Sequence, residues 1–181
     1  MHLAILNTGG TISCIGQPLA PMGAAAFAQA SMAQLNPALL AQHPDVQLSY
    51  LTELAFPDSA SGTLDSTNLQ PRDWCLIAEV ILRHYTDYDG WVILHGTDTM
   101  DKSAAVIAKN VKDKKVIFVG SMKPYSIEKD EAIFNFACAV GFLRSNPVNG
   151  VYISMHSLVL PHDKIYKDRN IGVFKPLNNR S

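Results

Sequence analysis

The segment Gly90-Trp91-Val92-Ile93-Leu94-His95-Gly96-Thr97-Asp98-Thr99-Met100 indicates the fold class of this chain. It begins with a continuous apolar run, which is typical of a strand buried on both faces of a parallel sheet. Apolar residues then recur at helical spacing from Met100 to Val111. The polar turn between them therefore joins a strand to a helix. In an open parallel sheet, such turns lie at the carboxyl ends of the strands, where ligands bind.

Thr97 and Asp98, in the middle of this turn, have two interpretations. Both residue types commonly cap the start of a helix through a side-chain oxygen. The same two side chains would also supply a hydroxyl and a carboxylate to a crevice at the sheet edge, where the N–H groups of a helix start face a ligand. The turn by itself leaves both interpretations open.

The amino terminus repeats the pattern of an apolar strand followed by a polar turn. Leu3–Leu6 is apolar on both faces, which predicts a central strand, and Thr8-Gly9-Gly10-Thr11-Ile12 follows it. The two glycines permit a positive φ or a close approach of the backbone to a ligand. Their spacing matches neither dinucleotide-binding nor phosphate-binding loops. Two strand ends with a glycine before a threonine predict one crevice lined by Thr11 and Thr97.

Strands and helices alternate along the rest of the chain. This alternation predicts an α/β fold of three layers, α/β/α, around a mainly parallel sheet. The segment 156–175 is polar and irregular, which favours a surface hairpin or a part of the site. Residues 13–22 are predicted to form an exposed loop. The predicted elements are strands at 46–51, 116–119 and 150–154 and helices at 24–41, 71–85, 100–111 and 130–144.

Length and composition limit the remaining possibilities. The 181 residues predict one domain, 1–181, and no stretch approaches the roughly 18 apolar residues of a membrane span. A net charge of −1 provides no field that would attract nucleic acid or an anionic membrane. Three cysteines at scattered spacing, without clustered histidines, indicate neither a disulfide framework nor a metal site. The thiols fit a reducing cytoplasm, and no cofactor is predicted.

The two threonines indicate a class of reaction. A threonine hydroxyl is a weak nucleophile that needs a base beside it, and Lys123 and Lys167 are candidates for that base. Backbone N–H groups of the glycine turn could stabilise an oxyanion. The residues by themselves therefore favour acyl transfer, or hydrolysis of an amide or an ester.

The segments Thr8–Ile12 and His95–Met100 resemble the two signature motifs of bacterial-type L-asparaginases. The likeness extends from Leu3 to about Lys175, and the stretch from Asp65 to Met100 is most similar to the cytoplasmic type I enzymes. The resemblance implies the N-terminal domain of the asparaginase/glutaminase fold. It also implies hydrolysis of the side-chain amide of L-asparagine to L-aspartate and ammonia through an acyl-enzyme, without a cofactor.

The resemblance also implies roles for particular residues. Thr11 corresponds to the nucleophile, and Thr97, Asp98 and Lys167 correspond to a second catalytic group that poises the threonine and a water molecule. Ser66 corresponds to the residue that binds the substrate α-carboxylate, and Asp98 to the one that holds the α-ammonium group. The implied substrate-binding set is Gly10, Asp65, Ser66, Thr67, Gly96, Thr97 and Asp98. The other polar residues of the motifs, Thr8, His95 and Thr99, are predicted to serve the turns and the packing.

The sequence departs from the family pattern in two respects. Family members continue into a second α/β domain that lends an acidic residue to a neighbouring subunit's site, whereas this sequence stops where that domain would begin. A compact form without it is expected, and a homodimer would restore the missing wall. The family's mobile loop carries a tyrosine that assists the nucleophile, but residues 13–26 contain none, and Leu19 is the nearest match. The candidates to replace it are Ser13, Tyr125, Tyr166 and water.

Three functions are therefore weighed. The leading one is a single-domain L-asparaginase. The second is the same amidohydrolase chemistry on another amide, such as glutamine, because the domain that bears specificity is absent. The third is a non-catalytic amino-acid-binding or assembly protein, since a fold does not by itself imply an activity.

Overall fold

The computed structural model describes residues 1–15, 20–21, 23 and 45–177. Three α-helices and ten strands lie in these ranges, together with short 3-10 turns at Thr11–Ser13, Ser66–Asn68 and His162–Lys164. The helices are α1 (Pro71–Arg83), α2 (Met100–Asn110) and α3 (Asp130–Ser145). The strands are β1 (His2–Asn7), β2 (Cys14–Ile15), β3 (Ala20–Pro21), β4 (Gln47–Leu51), β5 (Gly90–Leu94), β6 (Lys115–Val119), β7 (Gly150–Met155), β8 (Leu158–Pro161), β9 (Ile165–Asp168) and β10 (Val173–Pro176).

The main sheet has six strands in the spatial order β4-β1-β5-β6-β7-β8. All neighbours pair in parallel except β7 and β8, which pair antiparallel. The chain passes from β1 to β4 on one side and then to β5 on the other side of β1. The connections after β1 and β5 therefore diverge, which opens a crevice at the carboxyl ends of these two strands. The loops that carry Thr11 and Thr97 follow these same two strands.

The sheet lies between two layers of helices. Alternate residues of each strand face opposite sides, so Ala4 and Leu6 join one buried cluster and Leu3 and Ile5 join another. The first cluster includes residues of α1 and α2, and the second includes residues of α3. The prediction of a three-layer fold with a mainly parallel sheet is confirmed.

Most predicted elements agree with the structure to within two residues. Helix α1 begins after a reciprocal capping box between Gln70 and Asp73 and has Pro71 at its first position. The loop predicted at 13–22 contains the short antiparallel pair β2–β3. The helix predicted at 24–41 lies outside the described residues, as do Leu19 and the last four residues.

The segment 156–175 forms both structures that its polar sequence favoured. It begins with β8, a hairpin partner of β7 at the edge of the main sheet, and continues into a separate antiparallel ribbon made of β9 and β10. This ribbon carries Lys167. Among the helices that the structure describes, none combines the length and the apolar composition needed to cross a membrane.

Candidate active site

The first glycine turn is held against two other loops by backbone contacts. The N–H of Thr8 donates to the carbonyl of Leu94 at 2.9 Å, and the N–H of Gly10 donates to that of Leu64 at 3.1 Å. Gly9 and Gly10 have φ values of 112° and 81°. A β-carbon on Gly10 would lie 2.2 Å from the Cα of Gly96. The two motifs are therefore in backbone contact, and this contact requires glycine on steric grounds.

Replacing Gly10 with alanine is expected to destabilise the protein by several kcal/mol, about 3 or more, because the residue needs both a positive φ and the space of the missing β-carbon. Gly141 provides the matched control. It lies inside α3, and a β-carbon there meets no atom within 4 Å. We expect Gly141→Ala to stabilise the protein by about 0.5–1 kcal/mol. Urea denaturation of both variants measures the difference, and equal stabilities would contradict the required contact.

The side chains of Lys167, Thr97 and Asp98 form a triad at the carboxyl end of β5. The Lys167 Nζ donates to Thr97 Oγ1 at 2.8 Å and to Asp98 Oδ1 at 2.6 Å. Lys167 and Thr97 are 6% and 7% exposed, whereas the Asp98 side chain is 53% exposed. A hydroxyl and a carboxylate thus share one buried amine, with the carboxylate at the solvent side. Neither Thr97 nor Asp98 acts as a helix cap, and Thr99, the residue before α2, makes no side-chain cap either.

Two residues outside the sequence motifs also contact the triad. Arg169 donates from Nη2 to the carbonyl of Asp98 at 2.6 Å. The Thr97 hydroxyl donates to the sulfur of Met122 at 3.6 Å. Met122 follows the carboxyl end of β6, and Arg169 is two residues after Lys167. Their positions at the same sheet edge are the signal that could have identified them.

Ser66 lies beneath the second motif. It is 2% exposed, and its hydroxyl has no hydrogen-bond partner among the described residues. A β-carbon on Gly96 would lie 2.6 Å from the Ser66 Oγ, so Gly96 gives this hydroxyl its space. Asp65 and Thr67, on either side, bind each other, since Asp65 Oδ1 accepts from the N–H of Thr67 at 2.9 Å and from its hydroxyl at 2.7 Å. The structure thus brings Gly10, Gly96 and Ser66 together, with Asp65 and Thr67 at the rim.

Thr11 lies in a cavity of about 290 Å³ beside the first motif. Its lining is rich in hydroxyl groups and includes side chains that the motifs do not contain. Cys14 is one of them, and burial, together with the charge of Asp65, raises the pKa of its thiol. The thiol is therefore protonated at neutral pH and does not compete as a nucleophile. The lining residues are Gly10, Thr11, Cys14, Ser59, Thr63, Leu64, Asp65 and Asn68.

The structure separates the two lysines considered as the base. Lys123 is 58% exposed and forms an ion pair with Glu128, which raises the pKa of its amine. Such an amine stays charged at neutral pH, whereas a general base must accept a proton. Lys167 is the lysine that contacts a threonine of the motifs.

The candidates to replace the loop tyrosine occupy different environments. The N–H of Tyr125 donates to the carbonyl of Ile12 at 3.2 Å, and burial raises the pKa of its phenol. The hydroxyl of Ser13 donates to the carbonyl of Gly10 at 3.3 Å. Tyr166 is 37% exposed and precedes the buried Lys167 on β9, so the two side chains point to opposite faces of the ribbon. Ser13 and Tyr125 lie close to the turn of Thr11, and Tyr166 faces away from the lysine.

The remaining polar residues of the motifs serve the turns and the core, as predicted. The Thr8 hydroxyl donates to the carbonyl of Leu94 at 2.9 Å, and the Thr99 hydroxyl donates to that of Ser66 at 2.7 Å. His95 is fully buried, with its ring edge-on to Phe118 at a centroid distance of 5.4 Å. Its Nδ1 donates to the carbonyl of Gly96 at 2.6 Å.

The burial of His95 makes stability depend on pH. Desolvation lowers the pKa of its imidazole from 6.5 to about 4. Between these values the unfolded chain binds a proton that the folded chain excludes, so stability falls as the pH drops. We expect a loss of about 3 kcal/mol from this residue between pH 6.5 and pH 4. Urea denaturation across this range should show a shallower pH dependence in His95→Gln than in the wild type, and parallel curves would contradict the assignment.

No group of three or more His, Cys, Asp or Glu side chains in the described part of the chain could hold a metal ion. A second cavity, of about 530 Å³, lies at the opposite edge of the sheet, near the amino ends of β6 and β7. Its polar lining includes Lys112, Asp113 and His162. None of the motif residues lines that cavity, so the chemistry points to the carboxyl edge.

Comparisons with known proteins agree with this location of the site. L-asparaginase 1 of Escherichia coli K12 is 36% identical over 118 residues, which cover 60% of this chain and 35% of that protein. A glutamyl-tRNA(Gln) amidotransferase polypeptide of Methanococcus vannielii is 28% identical over 158 residues, which cover 86% of this chain and 34% of that protein. The thermostable L-asparaginase of Thermococcus kodakarensis superposes with a TM-score of 0.78 at 26% identity, over 98% of this chain and 52% of that structure.

The chain therefore spans about a third of the length of these two curated relatives and about half of the solved structure. The family model that describes the N-terminal part of asparaginases matches residues 2–172, which include both motifs and the ribbon strand that carries Lys167. The chain belongs to the asparaginase family and corresponds to its N-terminal domain.

Proposed function

We propose that this protein is an amidohydrolase that converts L-asparagine to L-aspartate and ammonia. The observation that carries the proposal is the contact of the Lys167 Nζ with both Thr97 Oγ1 and Asp98 Oδ1. The lysine and its two partners come from separate elements about 70 positions apart, and core packing alone does not account for a buried amine between a hydroxyl and a carboxylate. Burying an amine is costly unless it is paired and hydrogen-bonded.

The proposed reaction has two halves. In the first, the Thr11 oxygen attacks the carbon of the side-chain amide, the C–N bond breaks, and the nitrogen takes up a proton and leaves as ammonia. In the second, water attacks the resulting ester, which releases aspartate and returns the proton to Thr11. Thr97 orients that water, and Lys167, with Asp98 behind it, exchanges the proton. The backbone N–H groups around Gly10 and Gly96 are the donors proposed for the oxyanion.

The substrate's α-amino and α-carboxyl groups need partners of opposite character. Asp98 exposes about half of its side chain at the edge of the triad, and we propose that its carboxylate holds the α-ammonium group. The hydroxyl of Ser66 has no partner among the described residues and is the proposed donor to the α-carboxylate. Asp65 and Thr67, at the rim, would complete the binding set with Gly10, Gly96 and Thr97.

A second candidate is the same chemistry on a different amide. The similarity to the amidotransferase polypeptide covers 86% of this chain, against 60% for the L-asparaginase 1 of E. coli. The hydroxyl-rich cavity beside Thr11 has a volume of about 290 Å³, and it extends from Thr11 to Ser59 and Asn68. Room for a polar group beyond the amide would suit glutamine or a larger amide.

We also propose that the protein works as a cytoplasmic homodimer. Cys14, Cys75 and Cys138 are free thiols, which fits a reducing compartment. Met122 and Ile171 are 39% and 60% exposed on the side of the molecule that carries the triad, and a second copy would cover them while closing the site. Sedimentation velocity of the purified chain tests the dimer, and a monomer at all concentrations would contradict it.

Ammonia release from a panel of amides tests the function. The purified chain is incubated with L-asparagine, L-glutamine and their N- and C-terminally extended derivatives, and the values of kcat/KM are ranked. Asparagine at the head of the ranking supports the first candidate, and another amide supports the second. Calorimetric binding of aspartate without any ammonia release would refute both and would support a non-catalytic amino-acid-binding protein.

A further inference from the structure

The ribbon of β9 and β10, which carries Lys167, is not joined to the main sheet by strand pairing among the described residues. An isolated two-stranded ribbon is marginally stable in water, so its position depends on side-chain contacts. Ile165 and Phe174 anchor it, since each is 2% exposed and belongs to the core. The precision with which Lys167 meets Thr97 depends on what holds the backbone between these anchors.

The turn that joins β7 to β8 contains two residues with unfavourable local conformations. His156 and Ser157 have φ values of 51° and 67°, and they connect the last strand pair, Met155 with Leu158. A two-residue turn with both φ values positive is the type for which Asn-Gly is preferred. Histidine and serine are therefore poor choices for this turn on local grounds. A tertiary contact must compensate for them.

The imidazole of His156 makes that tertiary contact. Its Nδ1 accepts the backbone N–H of Phe174 at 3.0 Å, and the two rings lie 6.0 Å apart. A nitrogen that accepts an N–H carries no proton, so the ring proton is on Nε2, which faces Glu131 Oε1 at 3.6 Å. The buried Asn135 accepts the backbone N–H of His156 at 3.2 Å. The ring is thus held in one orientation and one tautomer.

The contact acts on the residue directly opposite the lysine. Phe174 is paired with Lys167 across the ribbon, and both side chains are buried on the same face. Because the N–H of Phe174 donates to His156, it points away from β9, so Phe174 and Lys167 form a non-hydrogen-bonded pair. The imidazole is therefore the acceptor that ties this point of the ribbon to the main sheet.

We propose that His156 is a positioning residue that sets the depth of Lys167 in the site by accepting the N–H of Phe174. The inference rests on the proposed function, because it gives Lys167 its catalytic role. His156 acts through the ribbon backbone rather than on Thr97 or Asp98. The Glu131 carboxylate, which also accepts the N–H of Met122 at 3.0 Å, orients the far side of the ring.

Two substitutions at His156 separate positioning from turn stability. Asparagine suits the positive φ and has an oxygen close to the place of Nδ1, whereas glycine suits the φ but has no acceptor. We expect His156→Asn to keep kcat within about threefold of the wild type, and His156→Gly to lower kcat about 10- to 100-fold with little change in KM. Neither variant should melt at a lower temperature, because both relieve the unfavourable φ.

The ammonia assay of the full chain, with melting temperatures measured in parallel, decides the proposal. Equal kcat values for the glycine and asparagine variants would overturn it. A lower melting temperature in the glycine variant alone, with unchanged kcat, would show a structural role only. If the wild type itself releases no ammonia, the proposed function fails, and the position of Lys167 is then measured by NMR of the lysine side-chain Cε and Nζ signals. A Lys167 shift change in His156→Gly but not in His156→Asn supports the positioning role, and unchanged shifts in both would refute it.

Discussion

Replacing Lys167 with methionine is expected to lower kcat for L-asparagine about a thousandfold while the protein remains folded. Methionine fills a similar volume but has no amine, so Thr97 loses the group that would exchange its proton, and general acid–base catalysis contributes about 10²- to 10⁴-fold. The fold survives because the charge left behind is Asp98, whose side chain is 53% exposed and stays hydrated. An uncompensated charge is costly only when it is buried.

Lys175→Met is the matched control. Lys175 lies on the partner strand of the same ribbon and forms an ion pair with Asp168 at 2.8 Å, but it does not belong to the triad. Its side chain is 41% exposed, and such pairs contribute little. We expect its kcat to stay within about twofold of the wild type. Full activity in Lys167→Met, measured by ammonia release, would contradict the proposed role of the triad.

Replacing Thr11 with alanine is expected to lower kcat by at least about 10⁴ by removing the oxygen that forms the acyl-enzyme. Thr11 is partly exposed in its cavity, so its loss leaves no hole in the core. Thr97→Ala should also abolish turnover, but for a different reason, since acylation by Thr11 could proceed while the ester waits for water. Intact-mass spectrometry after mixing with asparagine distinguishes the two, because only Thr97→Ala should accumulate a covalent adduct.

Thr11→Ser and Thr86→Ala are the controls for this series. Serine keeps the hydroxyl and should retain a measurable part of the activity, whereas Thr86 lies in an exposed turn after α1, and its loss should leave kcat unchanged. An adduct in Thr11→Ala would disprove its assignment as the nucleophile. Near-wild-type kcat in Thr97→Ala would disprove the second catalytic group.

The fold was predictable because its signals are local. Five residues of continuous strand character before His95, and the helical spacing from Met100 to Val111, define a strand and a helix without reference to the rest of the chain. Once strands and helices alternate, the right-handed parallel crossover leaves few arrangements, and the three-layer sheet follows. The order of β1 and β5 at the centre also follows from their apolar faces.

The site was predictable only in part. The motifs indicated Thr11 and the Thr97–Asp98 pair, and the family resemblance indicated Lys167, but the polar segment that contains this lysine has no periodicity that predicts the β9–β10 ribbon. Met122, Arg169 and His156 were not identified, because their contacts join residues that are 25, 71 and 18 positions apart. Such contacts depend on how elements pack, and composition does not reveal them.

The amino-acid order is sufficient to specify a layered α/β fold with two threonine turns at the carboxyl edge of its sheet. Strand and helix periods and the steric requirements of glycine act within a few residues, so they can be deduced from the chain alone. The packed structure was needed to establish which lysine reaches Thr97 and to place the hydroxyl of Ser66 beneath Gly96, with no partner among the described residues. The reason is physical: a buried amine or hydroxyl takes its environment from side chains that the fold brings together from distant parts of the chain.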